Sequence, residues 1–451
     1  MVFSAISTEL GLKALRAAPL DAHLLILQRI VRLVAYGQST LVLAAFLHDL
    51  GFSDFQMGLF MTLTLVGDIA ASAVLTIFAD RWGRRKVLLV GSLLMSMSGA
   101  VFALSSNYWV LLAAATAGVI SPSGNEIGPF KAIEESTLAQ LTPPEDRSTI
   151  FAWYAVLSGI AAALGSLSSG WMTQYLQEIK GQSATQSYRY VFILYTVCGL
   201  IKTGFSIVLS SKCEPAPKPS KSSPTERSRL LDAEEQEEVD PVAPREEVKK
   251  QPSLVDRILG LSPETRKKVY TLSTLFGLDN LASGLVPLSF TIYYFTTRFH
   301  LDEGTLGNTF FTTSLIAALS NFVAASLSRR LGNIKTMAFT HLPSSTFLAL
   351  IPLPSNFHAA RALLIARFCT AQMDGAPRTA FLASYIPENE RTSVMGIINV
   401  VKTLCQSIGP SVTGYLAGQG WIRFSFFAAG GMKISYDLMI LYFFTKVAMA
   451  S

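Results

Sequence analysis

The stretch FADRWGRRKVLL, residues 78–89, is a dense and mostly basic cluster of charges between two apolar segments. Upstream, Asp68 is the only charged side chain within residues 56–79, and from Val87 the chain becomes apolar again. A segment of about 20 apolar residues is long enough to cross the hydrocarbon core of a bilayer. The stretch therefore has the pattern of a short loop that joins two membrane-spanning helices.

The whole chain repeats this alternation of apolar segments and polar loops. Its 451 residues are 50% hydrophobic and 15% charged, with a mean hydropathy of +0.39, whereas soluble proteins carry about 25% charged residues. We predict an all-α polytopic membrane protein with twelve spans rather than a soluble helical enzyme. The predicted spans are residues 28–47, 56–79, 87–105, 108–130, 149–173, 189–210, 268–297, 304–327, 336–353, 358–380, 393–417 and 421–445.

Lysine and arginine are concentrated in alternate loops, and this bias predicts the orientation. They precede the first span and cluster at 81–86 and 329–335, whereas the loops HDLGFSD and SSNY contain neither residue. Both termini are therefore expected in the cytoplasm, with the protein in the plasma membrane or in a vacuolar or other endomembrane. The same bias accounts for most of the net charge of +6, so no nucleic-acid partner is expected.

One long segment lacks apolar blocks. It is rich in Pro, Ser, Glu and Lys, and such a composition cannot bury enough surface to offset the entropy of ordering. We predict a disordered cytoplasmic linker between two six-span halves. The predicted units are a cytoplasmic N-terminus (1–27), the N-terminal half (28–210), the linker (211–267), the C-terminal half (268–445) and a cytoplasmic tail (446–451).

The two halves share sequence. An offset of 249 residues aligns Gly58 with Gly307 and the motif DRWGRRK with RRLGNIK, and further on PPEDRST matches PENERTS. Three ordered matches in corresponding loops indicate an internal duplication. Parallel repeats of six spans joined by a long linker are typical of one class of secondary transporter.

The opening stretch also resembles a family motif. Asp80, Arg81, Gly83, Arg84 and Arg85 match D-R-x-G-R-[RK], the loop between spans two and three in the major facilitator superfamily, including its fungal-type members. The resemblance implies twelve transmembrane helices in two six-helix halves that move a solute by alternating access. It also implies that Asp80 belongs to a charge latch that closes the cytoplasmic side.

Charges inside the bilayer are the functional candidates, because each costs at least ~2.5–3.5 kcal/mol on insertion scales and needs a partner. Counting along the helices places Asp68, Asp279 and Lys402 close to the midplane. We predict a substrate and proton pathway formed by Asp68, Asn125, Glu126, Asp279, Arg367, Asp374 and Lys402.

Other charges within the spans have a structural interpretation. Lys433 and Asp437 are one helical turn apart and can neutralise each other. Lys202 and Arg32 lie near enough to the cytoplasmic side to extend to the interface, and the charged residues within 131–135 are expected at the interface as well. These residues are not included in the predicted pathway.

Helix-breaking residues mark the fourth and tenth spans. Pro122, Gly124 and Pro129 fall within eight residues of the fourth span and predict a break or kink. Irregular backbone at membrane depth must face protein or a water-filled cavity, so Asn125 and Glu126 are expected to line one. The sequence MDGAP, at 373–377, repeats the pattern in the tenth span.

These observations predict a secondary active transporter of a small organic solute, proton-coupled through Asp68 or alternatively Glu126, which functions as a monomer. Gly409–Pro410 is similar to the superfamily's antiporter signature, although that signature belongs in span five, where Pro is missing here, and the similarity gives a mild preference for export. The alternatives are a passive uniporter and a non-transporting sensor or scaffold on the same fold. No P-loop, HExxH or Ser/His/Asp set occurs, so no enzymatic activity, catalytic residue, cofactor or metal site is expected.

Overall fold

The computed structural model describes residues 12–118, 120, 129–214, 260–387 and 390–448. Within these ranges the regular structure is helical. The α-helices are α1 (Leu12–Ala17), α2 (Leu20–Asp49), α3 (Asp54–Trp82), α4 (Arg84–Leu104), α5 (Tyr108–Gly118), α6 (Pro129–Leu141), α7 (Arg147–Gln174), α8 (Ala184–Val208), α9 (Pro263–Leu285), α10 (Leu288–Phe299), α11 (Glu303–Leu331), α12 (Asn333–Leu350), α13 (Phe357–Thr370), α14 (Gly375–Tyr385), α15 (Arg391–Gly418) and α16 (Ile422–Ala448).

These helices form twelve spans in two six-helix halves. Nine spans are single long helices, and three are pairs of shorter ones: α5 with α6, α9 with α10, and α13 with α14. Judged by length and composition alone, six stretches of the described chain are long and apolar enough to cross a membrane. The remaining spans are interrupted or carry more polar residues. Most of the predicted linker, residues 215–259, lies outside the described residues.

Two of the three interruptions have a visible cause. The predicted break in the tenth span is present as a turn at 371–374, directly before α14. A further break, between α9 and α10, was not predicted and falls at Pro287, whose ring cannot donate a backbone hydrogen bond. The hydroxyl of Thr413 in α15 donates to the carbonyl of Leu285, which the break leaves without a helical partner. The tract proposed to break the fourth span, 121–128, lies outside the described residues.

The internal repeat is visible in the backbone. Gly83 and Gly332, aligned by the offset, each join two helices with a positive φ, +94° and +79° respectively. Such a φ is readily adopted only by glycine. Thr40 and Ser289 are separated by the same 249 residues, and the Ser289 hydroxyl donates to the Thr40 carbonyl at 3.3 Å. Since equivalent residues of the two halves touch there, this contact lies close to the axis that relates them.

The halves pack against each other through two pairs of glycines. We call the end of the bundle opposite the chain termini the far end. There α3 packs on α15 with Gly58 against Gly414, and α7 packs on α11 with Gly170 against Gly307. A Cβ on Gly58 would lie 2.3 Å from the carbonyl oxygen of Pro410, so only glycine permits this approach. The aligned residues Gly58 and Gly307 therefore both permit a close approach between helices of the two halves.

Polar side chains add hydrogen bonds between the halves at the far end. The phenol of Tyr293 donates to the Asp54 carboxylate at 2.9 Å, and the phenol of Tyr188 donates to the Glu303 carboxylate at 2.9 Å. Gln177 also donates to Glu303, at 3.0 Å. Asp54 and Glu303 begin α3 and α11, which correspond in the repeat. Among the described residues, the hydrogen bonds between the halves lie in the far part of the bundle, so the far end is closed.

Candidate functional site

A cluster of buried charges lies in the C-terminal half, and Asp279 of α9 is at its centre. Lys433 of α16 places its Nζ 2.6 Å from Asp279 Oδ1, and the same ammonium donates to Ser283 Oγ at 2.8 Å. Arg378 of α14 approaches the other oxygen, Oδ2, at 3.2 Å. Two cations therefore share one carboxylate that is 3% exposed. Burial of an ion pair is tolerated only when such partners are supplied.

Two further carboxylates complete this cluster. Asp374, at the break before α14, forms an ion pair with Arg378 one turn later. Asp437 of α16 accepts hydrogen bonds from Nδ1 of His341 at 2.8 and 3.0 Å, and the other nitrogen of that ring lies 3.7 Å from Asp279. The imidazole thus bridges two carboxylates.

The charges of the cluster do not balance without a bound proton. Three carboxylates face two permanent cations, so one proton on the imidazole or on a carboxylate makes the cluster neutral. The cluster therefore contains one position for a proton in addition to its permanent ion pairs.

The two remaining predicted cations have no ion pair among the described residues. Lys402 lies half-buried in α15, within electrostatic range of Arg378, Asp279 and Asp374, and also of Lys131 in the other half. It therefore lies near the plane where the halves face each other. Arg367 lies in α13, where it stacks on Phe368 at 5.2 Å.

Arg367 follows the buried residues Ala360 and Leu364 at helical spacing, so it shares their inward face of α13. The structure does not join Arg367 to Asp374. Asp374 uses Arg378 instead.

Asp68 is separate from the C-terminal cluster. It is 1% exposed in the middle of α3, and neither carboxylate oxygen has a hydrogen-bond partner among the described residues. Few buried polar groups lack partners, and a carboxylate without one needs a specific explanation. Asn125 and Glu126, the predicted neighbours in function, lie outside the described residues.

Glu214, near the start of the predicted linker, binds the loop that carries the family motif. The Glu214 carboxylate accepts hydrogen bonds from the backbone N–H groups of Arg84 at 2.7 Å and Arg85 at 3.3 Å. A carboxylate at a helix N-terminus satisfies free N–H groups and complements the helix dipole. The Arg84 guanidinium also donates to Gln140 at 3.0 Å. The backbone at residues 80 and 81 belongs to α3, but these two side chains lie outside the described part, so the latch at Asp80 stays a prediction.

A similar glutamate–backbone hydrogen bond occurs in the C-terminal half, outside the membrane spans. Glu390, which precedes α15, accepts a hydrogen bond from the backbone N–H of Ser262 at 2.8 Å. Hydrogen bonds from the Thr265 side chain and from Ser262 hold the pKa of Glu390 below its ordinary value. Ser262 is the residue just before α9. In both halves a glutamate thus fixes a helix N-terminus at the end of the bundle where the chain termini lie.

Three charges that were expected to reach the interface are instead buried together in the N-terminal half. Glu134 of α6 is 0% exposed and pairs with Arg32 of α2 at 2.6 Å and with Lys202 of α8 at 3.3 Å. The interfacial prediction was wrong for Glu134, because its two partners come from distant parts of the chain. The expected pair of Lys131 with Glu135 is present at 3.8 Å.

The prediction that Lys433 pairs with Asp437 was also wrong. Their spacing predicts contact, but Asp279 and His341 are the better-placed partners. The sequence carried one usable signal for the missed residues: Arg378 follows Asp374 by four positions on one helix. His341 was visible only as a histidine inside an apolar span.

Comparison with known proteins agrees with this arrangement. The sequence model of the Major Facilitator Superfamily matches residues 24–369 and, in a second match, 272–449. The chain belongs to this superfamily. The second match begins close to the start of the C-terminal half, as expected for a superfamily built on two repeats.

Two relatives in sequence and one solved structure are similar to this superfamily member. An uncharacterized membrane protein of Saccharomyces cerevisiae is 34% identical over 435 residues, which is 96% of each chain. An arabinose-proton symporter of Bacillus subtilis is 30% identical over 133 residues, 28% of each chain. A bacterial homologue of the human lysosomal transporter Spinster, solved in an inward-facing and occupied conformation, has a TM-score of 0.67 at 15% identity and covers 94% of this chain and 97% of its own.

Proposed function

We propose that this protein is a proton-coupled secondary transporter of a small organic solute, working by alternating access between its two halves. The proposal rests mainly on the burial of the Asp68 carboxyl group in the middle of α3. Neither oxygen of Asp68 has a partner among the described residues, and an ionised carboxylate buried in the membrane without one costs several kcal/mol, so we infer that Asp68 holds a proton in this state. The repeat aligns Asp68 with Ala317, so the packing of this position does not require a carboxyl group.

The C-terminal cluster supports the same function. Its three carboxylates outnumber its two permanent cations by one, so it offers a second place where a proton could be held and released. The arabinose-proton symporter of Bacillus subtilis, similar over part of its chain, couples a solute to protons according to its name. A carrier needs a group that binds a proton in one facing state and releases it in the other, and both sites can do this.

Orientation decides which side is open. With both termini in the cytoplasm, the closed far end faces the outside or the lumen of an organelle, and the described conformation opens inwards. A cysteine at Ser53 should then react with an impermeant thiol reagent added outside, and one at Ser222 should not. The reverse labelling pattern would overturn this orientation. We retain the mild preference for export and for a monomer in the plasma membrane or an endomembrane.

Transport assays in proteoliposomes test the coupling. Solutes are first screened for movement with and without a pH gradient. Asp68→Asn, which is isosteric, should leave folding intact and abolish accumulation driven by the gradient, while exchange down the solute's own gradient continues. If Glu126→Gln alone abolishes accumulation, the coupling role moves to Glu126. Normal accumulation in both variants refutes coupling through either residue, and a parent that only equilibrates its solute is a passive uniporter.

A further inference from the structure

Lys402 differs from Lys433 and Arg378, the two cations of the charge cluster in the C-terminal half. Lys433 and Arg378 each contact a carboxylate, at 2.6 Å and 3.2 Å from Asp279. Lys402 has no carboxylate within ion-pair distance among the described residues, although it lies within electrostatic range of that cluster. A membrane-embedded ammonium without a partner is costly unless water or a ligand reaches it.

The geometry of α15 shows where Lys402 points. Leu404, Ile408 and Tyr415 are 48%, 54% and 57% exposed and form one stripe, as expected for a face towards lipid. Lys402 is two residues from Leu404 and therefore lies on the opposite face. Gln406, one turn further along that opposite face, is 3% exposed.

This inward face borders open space. Asn399, one turn before Lys402 on the same face, is exposed although it points away from the lipid stripe. Lys131 of the N-terminal half lies within electrostatic range of Lys402. Among the described residues, a polar residue exposed on the inside of the bundle, beside one lysine and near a second, indicates a water-accessible cavity between the halves.

We propose that this cavity binds an anionic group of the transported solute, and that Lys402 is the residue that holds it. The nearby carboxylates do not compete for Lys402, because Asp279 and Asp374 are already neutralised by Lys433 and Arg378. A carboxylate or phosphate ester of a small organic molecule would supply, through a charge-assisted hydrogen bond, the partner that Lys402 lacks among the described residues. The inference deepens the proposed transport function and names its substrate class as organic anions.

The first test measures the potential in the cavity without any substrate. A cysteine replaces Asn399 on a background in which Cys369 and Cys405 are serine, and its reaction rate is measured with two methanethiosulfonates, one bearing a sulfonate and one a trimethylammonium group. After each rate is divided by that of a free thiol, the anionic reagent should react about fivefold faster, as a unit charge one turn away in water predicts.

The substitution Lys402→Gln should bring this ratio close to one. Lys335→Gln, a matched change of an exposed lysine in the first turn of α12, should leave the ratio unchanged. An equal or faster reaction of the cationic reagent, or a ratio unaffected by Lys402→Gln, overturns the proposal. This readout does not involve transport, so it stands or falls separately from proton coupling.

A second test uses matched solutes and thermal unfolding of the purified protein. Succinate, benzoate and gluconate are compared with succinamide, benzamide and glucose. A rise in the unfolding midpoint with an acid, absent with its neutral partner and absent in Lys402→Gln, supports the proposal. Stabilisation by a neutral member without its acid contradicts it. Should none of the six bind, the reagent ratio decides.

Discussion

The two tyrosine–carboxylate hydrogen bonds at the far end should control how often that end opens. Tyr293 to Asp54 and Tyr188 to Glu303 each join one half to the other, at 2.9 Å. When the halves separate there, both partners of each bond become hydrated. Tyr293→Phe and Tyr188→Phe therefore remove stabilisation from the far-closed state alone, since phenylalanine keeps the ring.

The size of the effect follows from these contacts. Hydrogen bonds to charged groups contribute about 1.5–3 kcal/mol, and the lower end applies here because both bonds are only partly buried. Loss of the Tyr293 bond should then raise the population of the far-open state about tenfold. Tyr188→Phe should have a smaller effect, because Gln177 still donates to Glu303 at 3.0 Å. The two bonds share no partner, so the double variant should approach the product of the single effects.

Labelling from the far side measures this population. In vesicles or cells of known orientation, a cysteine at Asn399 is exposed to an impermeant thiol reagent added only at the far face. If opening is fast compared with labelling, the rate is proportional to the fraction of far-open molecules. Tyr190→Phe is the matched control, because Tyr190 lies two residues from Tyr188 on the same helix and is 44% exposed. A double variant labelled at the parental rate would refute the role of these bonds.

Two further predictions concern buried and capping charges. Lys433→Met should destabilise the protein by about 2–3 kcal/mol, because Asp279 keeps only Arg378 and His341; adding Asp279→Asn should recover part of this loss in denaturant unfolding, and strict additivity of the two changes would contradict the pair. Deleting residues 220–250 should leave thermal stability unchanged, whereas Glu214→Ala should cost about 1 kcal/mol by uncapping α4. Equal stability of the parent and Glu214→Ala would show that the cap contributes nothing.

The sequence predicted those parts of the fold that depend on local chemistry or on repetition. Hydrophobic segments of membrane length gave the twelve spans, and the two halves followed from the offset between Gly83 and Gly332. The same positive φ at both glycines is the physical content of that match. The break at Asp374 was predicted from MDGAP, while the break at Pro287 was missed although proline was its signal there too.

The pairing of charges could not be predicted from sequence in the same way. Spacing along a helix identifies partners one turn apart, and this rule found Lys131 with Glu135. It failed for Lys433, because a partner on another helix, Asp279, lies 154 residues away and offers a better contact. Glu134 was missed for the same reason, since Arg32 and Lys202 reach it from two other helices.

The residues that align between the two halves form contacts between the halves, whereas the buried carboxyl groups do not align. Residues that align between the halves form the contacts about which the halves can pivot: Gly58 and Gly307 at the close approaches, Asp54 and Glu303 at the far-end bonds. The buried carboxyl groups do not align, since Asp68 corresponds to Ala317 and Asp279 to Ile30. A movement between two facing states needs equivalent contacts in both halves, whereas binding and release of a proton needs groups whose surroundings change as the halves move. The symmetric residues of this chain therefore meet the mechanical requirement, and its asymmetric charges are the places where selectivity and coupling should be sought.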